Sequence, residues 1–324
     1  MTSAVRALRS LVAIVAIVAF GAASAADFPV RPIRIYVGFA AGGATDLIAR
    51  LVAEKLSERL PQQVVVENRP GAGGVLATGI VAKAPPDGYS LIMASASHAI
   101  NVSLQKALPY DAVADFAPVA PVGAITNVLV VNPSVKAKSV SEYIALAKAE
   151  PGTINFASAG VGSSSHLANE LFKTMAAIDI RHVPYKGTAD GVRDLVTGRV
   201  QSTVDSVSAL LPFIRSGQLR VLGVADPARS TLLPDVPTIA EAGLPGYEVN
   251  AWVGLLAPAK TPREVIDLLN REVMAVLREP DVQKRLQEIG AHPVFGTPED
   301  LGALVKADIA KFATIIRSAG ITAQ

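Results

Sequence analysis

The chain has 324 residues, half of them hydrophobic, with 30 Lys and Arg against 28 Asp and Glu, four His and no Cys. Without cysteine there are no disulfides, no thiol chemistry and no Cys-based metal site, and a near-balanced charge with no polybasic run excludes nucleic acid and anionic membrane surfaces as expected partners. This length exceeds the usual single domain and predicts two.

The N-terminus carries Arg6 and Arg9, the apolar run Leu11 to Phe20, and the small residues Ala23-Ser24-Ala25-Ala26. That is the pattern of a secretory signal peptide over residues 1–25, cleaved near Ala25 or Ala26. The apolar run is too short for a comfortable membrane span, so an exported, soluble mature chain is expected. Cleavage removes two basic residues and no acidic one, which leaves the mature chain formally uncharged.

Beyond this point short apolar runs alternate with helical patterns, the signature of α/β layers on mostly parallel strands. The strand Ile33–Val37 leads through Gly38-Phe39-Ala40-Ala41-Gly42-Gly43-Ala44-Thr45 into the helix Asp46–Arg59. Adjacent glycines let the backbone approach a guest, and the first helical turn leaves unpaired N–H groups that favour an anion. The same stretch is also consistent with a tight βα turn capped by Thr45 or Asp46 with nothing bound. Further strands are predicted at Val64–Glu67 and Ser90–Ala94, with a helix at Val75–Ala84 between them. The Pro-rich stretch Ala117 to Gly123 reads as a linker.

A second set of elements follows: strands Val128–Val131, Asn155–Ala157, His182–Pro184, Val200–Val204 and Arg220–Ala225, with helices Val140–Ala149, Ser164–Ala176 and Ala189–Thr197. Asp226-Pro227 then closes the stretch. A strand Val249–Leu256 and helices Pro262–Arg278, Asp281–Ile289 and Pro298–Ser318 complete the chain. The punctuation predicts an inserted middle domain: a first lobe of residues 27–123 plus 226–324 and a second lobe of 124–225. Two connections between lobes form a hinge that permits closure around a ligand. One continuous sheet with a Pro-rich loop is the alternative.

The second lobe repeats the glycine-turn logic. Ser158-Ala159-Gly160-Val161-Gly162-Ser163-Ser164-Ser165-His166 lies between a strand and a helix; Gly160 and Gly162 open the backbone, while the three serines offer hydroxyls and first-turn N–H groups without charge. Serines acting only as helix caps are the simpler alternative. In His182-Val183-Pro184-Tyr185-Lys186-Gly187-Thr188, Tyr185 is a candidate wall residue and Gly187 and Thr188 are candidate amide donors, while Lys186 suits either a counter-charge or a solvated turn. Asp205, just past a strand, is a candidate acceptor or a helix cap. Ser163 and His166 share a helical face, yet no acid at a diagnostic spacing orients the histidine, so capping and packing explain them more simply than a serine hydrolase. The four histidines lack metal-ligand spacing, and nucleotide and hydrolase motifs are absent from the sequence, so neither metal nor cofactor is expected.

Several motifs in one order carry a resemblance over essentially the whole mature chain: Arg31-Pro32-Ile33, Phe39 to Asp46, Glu67-Asn68-Arg69-Pro70-Gly71-Ala72-Gly73-Gly74, Pro86-Asp87-Gly88-Tyr89, Gly160 to Leu167, Val183 to Gly187, and Asp235-Val236-Pro237-Thr238-Ile239-Ala240-Glu241. The chain resembles the solute receptors of tripartite tricarboxylate transporters, the Bug or TctC type. The resemblance implies a two-lobed periplasmic binding protein, monomeric, with helices on both faces of its sheets. Such a receptor closes on a small carboxylate and delivers it to membrane permease subunits, without enzymatic activity. It further implies that one carboxylate is held by main-chain amides, hydroxyls and waters from both lobes. Carried over by position, first-lobe contacts would be Phe39, Ala40, Ala41, Gly42 and Gly43, with Asp46 supporting the turn and Ser95 and Ser97 as further candidates. Second-lobe contacts would be Gly160, Gly162, Ser163, Ser164, Ser165, Tyr185, Gly187, Thr188 and Asp205. The chain departs from the family at Ala41, where the first turn often carries Pro. A sensor subunit docking on a signalling kinase would share the same pocket.

Overall fold

A computed structural model describes residues 28–249, 251–318 and 320–321; the expected signal peptide lies outside the described residues. β1 (Ile33–Val37) buries Ile33, Ile35 and Val37 completely, the period-two pattern of a strand, and feeds α1 (Ala44–Arg59). Then come β2 (Val64–Asn68), a 3₁₀ turn at Ala72–Gly74, α2 (Val75–Ala82), β3 (Ser90–Ser95), α3 (Ser97–Leu104) and β4 (Phe116–Ile125). The middle of the chain forms β5 (Asn127–Val131), α4 (Val140–Ala149), β6 (Asn155–Ser158), α5 (Ser164–Ala176), β7 (Arg181–Pro184), α6 (Thr188–Val196), β8 (Ser202–Ser206), α7 (Val207–Arg215) and β9 (Arg220–Val224). It ends with β10 (Ala251–Pro258), α8 (Arg263–Arg278), α9 (Pro280–Glu288), β11 (Ala291–Pro293) and α10 (Pro298–Ser318).

Among the described residues these strands form two sheets, ordered β11-β4-β10-β3-β1-β2 and β7-β6-β8-β5-β9. Each is covered on both faces. On the first sheet, α1 and α8 bury Ile48, Leu56, Leu269 and Val273 on one side, and α3 and α10 bury Ile100, Leu301 and Val305 on the other. On the second, α4 and α5 supply Tyr143 and Phe172 to one core, and α6 and α7 supply Leu195 and Leu210 to the opposite one.

The expected α/β lobes are therefore present, with three corrections. The sheets are mixed rather than mostly parallel: β1 lies parallel to β2 and β3, and β6 parallel to β7 and β8, but β10 is antiparallel to β3 and β4, and β5 antiparallel to β8 and β9. The antiparallel strands flank the connections between lobes, where the chain leaves one sheet and enters the next. The predicted Pro-rich linker is β4, held between β11 and β10. Its prolines fit because β4 is bulged: the pairing skips Val122 beside Pro121 and Val119 beside Pro118, so each Pro sits where the ladder is already broken. Finally, the return to the first lobe comes later than Asp226. Ile239, Leu244 and Tyr247 are buried in the second lobe's core, the Tyr247 hydroxyl donates to the Ala168 carbonyl (2.8 Å), and the Ile239 N–H to the Val224 carbonyl (2.7 Å).

The forward crossing is a single residue. Thr126 separates β4 from β5, with its N–H on the Gly290 carbonyl (2.9 Å) and its carbonyl accepting from Val207 N–H (2.9 Å).

Candidate functional site

Between the lobes lies a cavity of about 60 Å³, room for several waters or one small organic acid. It sits outside the C-terminal ends of β3 and β8, beside the hinge residues Ile125, Asn127 and Ala251. Ligands of α/β sheets bind in this position.

Four helices begin at its wall. α1 contributes Gly43, Ala44 and Thr45; α5 contributes Ser163, Ser164 and Ser165; α6 contributes Thr188; and α7 starts at Ser206. The α1 and α6 N-caps are glycines, Gly43 and Gly187, and neither helix has a side-chain cap. Their first-turn N–H groups are thus left for a guest, and the positive ends of the dipoles converge on it. Among the described residues no Lys, Arg or His lines the cavity. An anion held here is held by main chain and hydroxyls.

Asp46 shapes the first turn from behind. Its carboxylate accepts from Gly42 N–H (2.9 Å), Asn68 Nδ2 (2.8 Å) and Arg50 Nε (3.0 Å), and Asn68 also donates to the Phe39 carbonyl (3.1 Å). Burial works to raise the Asp46 carboxyl, but the Arg50, Gly42 and Asn68 donors outweigh it and hold the group below its ordinary value. Gly42, at φ +87°, takes a left-handed conformation that makes this closed turn possible.

The sequence candidates divide into three groups. Phe39, Ala40, Gly43, Ser95, Ser163, Ser164, Ser165, Thr188 and Asp205 meet at the cavity wall. Ala41 and Gly42 lie on the exposed side of the first turn, and Ser97 is bonded to Ser95 (Oγ to Oγ, 2.7 Å) without reaching the cavity itself. The third group lies where lobe touches lobe or within the second lobe. A Cβ on Gly187 would stand 2.8 Å from Ala40 Cβ, and one on Gly162 only 2.0 Å from Asn101 Oδ1. Gly160 packs on the Tyr185 carbonyl, and the Tyr185 hydroxyl donates to Asp194 Oδ2 (2.8 Å) rather than facing the cavity. Glycines in these turns therefore serve close approach between lobes as much as access to a guest.

Residues not anticipated from sequence include Asn127, Ser206 and Trp252. Trp252 presents an apolar face, since its indole N–H is spent on Asp308 Oδ2 (2.6 Å). The hinge crossings bring Asn127 and Trp252 to the cavity, while Ser206 follows Asp205 at the end of β8.

The family model of the tripartite tricarboxylate transporter family receptor, TctC, matches residues 48–321. The chain belongs to this receptor family. Protein BugT of Bordetella pertussis is 40% identical over 295 residues, covering 90% of each chain. Among solved structures, R. palustris Rpa4515 with adipate is 40% identical, with a TM-score of 0.89 over 92% of this chain and 100% of the other. MatC from Rhodopseudomonas palustris with bound malate is 35% identical, with a TM-score of 0.85 over 89% and 100%.

In this TctC-type receptor the Ser163 and His166 side chains are engaged elsewhere. Ser163 Oγ accepts the His166 backbone N–H (3.2 Å), the cap role, while His166 Nδ1 takes the Gly162 N–H (3.3 Å). The His166 ring stacks on His182 at 4.2 Å between centroids, and burial pushes its pKa down to about 4. Asp205 receives Ser206 N–H (2.7 Å) and the Thr188 hydroxyl (3.1 and 3.2 Å), yet burial still pushes it up to about 6.

Proposed function

We propose that this receptor is a monomeric periplasmic protein that captures a small carboxylate in the interlobe cavity and delivers it to the membrane subunits of a tripartite transporter. The observation that carries this reading is the convergence of four helix starts on a cavity whose wall bears no cationic side chain among the described residues. Donors come from both lobes, so neither lobe completes the site alone and a bound carboxylate favours the closed state. Closure removes water and strengthens the amide–carboxylate bonds. Because the donors are fixed and neutral, separating the lobes is enough to release the solute.

Adipate and malate, bound by the two similar receptors, are the first solutes to try. A thermal-shift screen of mono-, di- and tricarboxylates is expected to give concentration-dependent stabilisation by at least one of them without product formation. A screen in which no carboxylate shifts the transition would end this reading. Turnover abolished by Ser163→Ala would replace it with the hydrolase alternative.

A further inference from the structure

Helix starts account for one acidic group, but they leave part of the cavity wall without partners. Among the described residues Asn127 Nδ2 is buried with no hydrogen-bond partner, and Asn127 is only 5% exposed. On β5 it stands directly opposite Ser206 of β8, at the hinge side of the cavity, and the Ser206 side chain turns to Asp205. Next to Ser206, Asp205 is the one ionisable side chain among the described residues that line the cavity. A buried donor without a protein partner is costly unless a ligand or an ordered water meets it. An ionised Asp205 can only accept, so a second full anion next to it would set two like charges in a water-poor site. A group that both accepts and donates fits this wall, accepting from Asn127 Nδ2 and donating to Asp205.

Resting on the carboxylate-receptor reading above, we propose that Asn127 and Asp205 form a donor–acceptor subsite for the far end of a dicarboxylic acid, captured with one carboxyl ionised and the other protonated. One proton enters from solvent with each diacid molecule and lies between the far carboxyl and Asp205. No covalent bond forms or breaks. A primary carboxamide presents the same donor and acceptor pair, so a monoamide of the diacid satisfies the subsite with no proton taken up.

The neighbouring ionisable groups leave Asp205 to dominate the cavity's response. Burial holds His166 on α5 at about 4 and His182 on β7 at about 3, so both are neutral above pH 5. Lys186 precedes α6, and Asp190 on α6 pairs with Arg193 (3.4 Å). Behind the hinge, Asp226 accepts the Asn127 N–H (3.4 Å), and burial raises it to about 6. None of these groups lines the cavity.

Calorimetric titration of the wild-type chain with adipate and its monoamide, and with malate and its monoamide, tests the subsite between pH 6 and 8 in buffers of different ionisation heat. A diacid that binds is expected to gain affinity toward about tenfold per pH unit as pH falls, with uptake approaching one proton per ligand. Its monoamide binds with flat affinity and no uptake. Asp205→Asn removes the uptake, whereas Asp226→Asn retains it. Diacid binding without proton uptake, rejection of the monoamides, or binding of monocarboxylates with neither diacid bound would overturn the subsite while leaving the receptor reading standing. The wild-type proton count decides the matter even if Asp205→Asn does not fold.

Discussion

The two lobes meet the same cavity with different helix starts, most plainly at α1 and α5. In the first lobe α1 begins at a glycine with no side-chain cap, and the turn is braced from outside the cavity by Asp46 and Asn68. In the second lobe α5 is capped by Ser163, Ser165 Oγ takes the Ala159 N–H (3.0 Å), and Thr188 is tied to Asp205. The first lobe offers bare main-chain donors at α1; the second caps α5 with its own side chain, leaves α6 and α7 without a side-chain cap, and adds hydroxyls and a carboxyl. On the proposed function, this difference would let the first lobe contribute main-chain donors alone, while the second also presents hydroxyls and the Asp205 carboxyl to the guest.

Removing the first-lobe donors should cost most. Gly43→Val is expected to abolish ligand-induced stabilisation, since the nearest atom to a Cβ there is the Ala40 carbonyl oxygen at 3.8 Å and the longer side chain has the cavity to fill. The backbone at Gly43 (φ −78°, ψ 163°) suits any residue, so the apo transition should barely move. A loss of roughly 100-fold or more in affinity, ~3 kcal/mol, is expected by calorimetry; unchanged affinity would break the comparison.

Breaking the brace comes next. Asp46→Ala leaves Gly42 N–H and Asn68 Nδ2 without their acceptor and should cost ~2–3 kcal/mol in urea unfolding. The Asp46 carboxyl is depressed in the folded state, so its contribution is present above the unfolded value and is lost as pH falls through the folded one. The stability difference between wild type and Asp46→Asn should therefore shrink below about pH 4.

Closure itself is tested at the lobe contact. Gly162→Ala places a methyl against Asn101 Oδ1 at a residue with φ +79° and should weaken binding about tenfold, ~1.4 kcal/mol. Adding Asn101→Ala should restore part of that affinity if the wedge rather than backbone strain is responsible. The smallest effect belongs to the capped helix: Ser163→Ala should cost ~1 kcal/mol of stability and only a few-fold in affinity. A loss as large as that of Gly43→Val would erase the asymmetry between the lobes.

Much of this architecture was legible from local pattern. β1 and α4 fall on the predicted residues, as does α5, because each is a self-contained apolar period with a recognisable start. α3 was not anticipated, and α7 entered only as the unbounded helix that Asp205 would cap. The first holds β-branched and polar residues and is stabilised by packing on α10, and the second carries Pro212 in its interior, a signal that reads as a break. Within the candidate site the glycine turns were visible, but their partition was not: Gly43 faces the cavity, while Gly162 and Gly187 face the opposing lobe. Sequence spacing carries no information about which side of a turn another lobe will cover.

By itself, then, the sequence determined the alternation of strands and helices, the two glycine turns and the family, since these depend on periodicity and on motifs within a few residues of one another. Tertiary structure alone decided that β4 is a bulged central strand, that residues 226–249 stay with the second lobe, and that Asn127, Asp205 and Ser206 share one wall. Those outcomes rest on pairing between segments far apart in the chain. Burial and the company a buried group keeps are set by that pairing, and they are what give the cavity its chemistry.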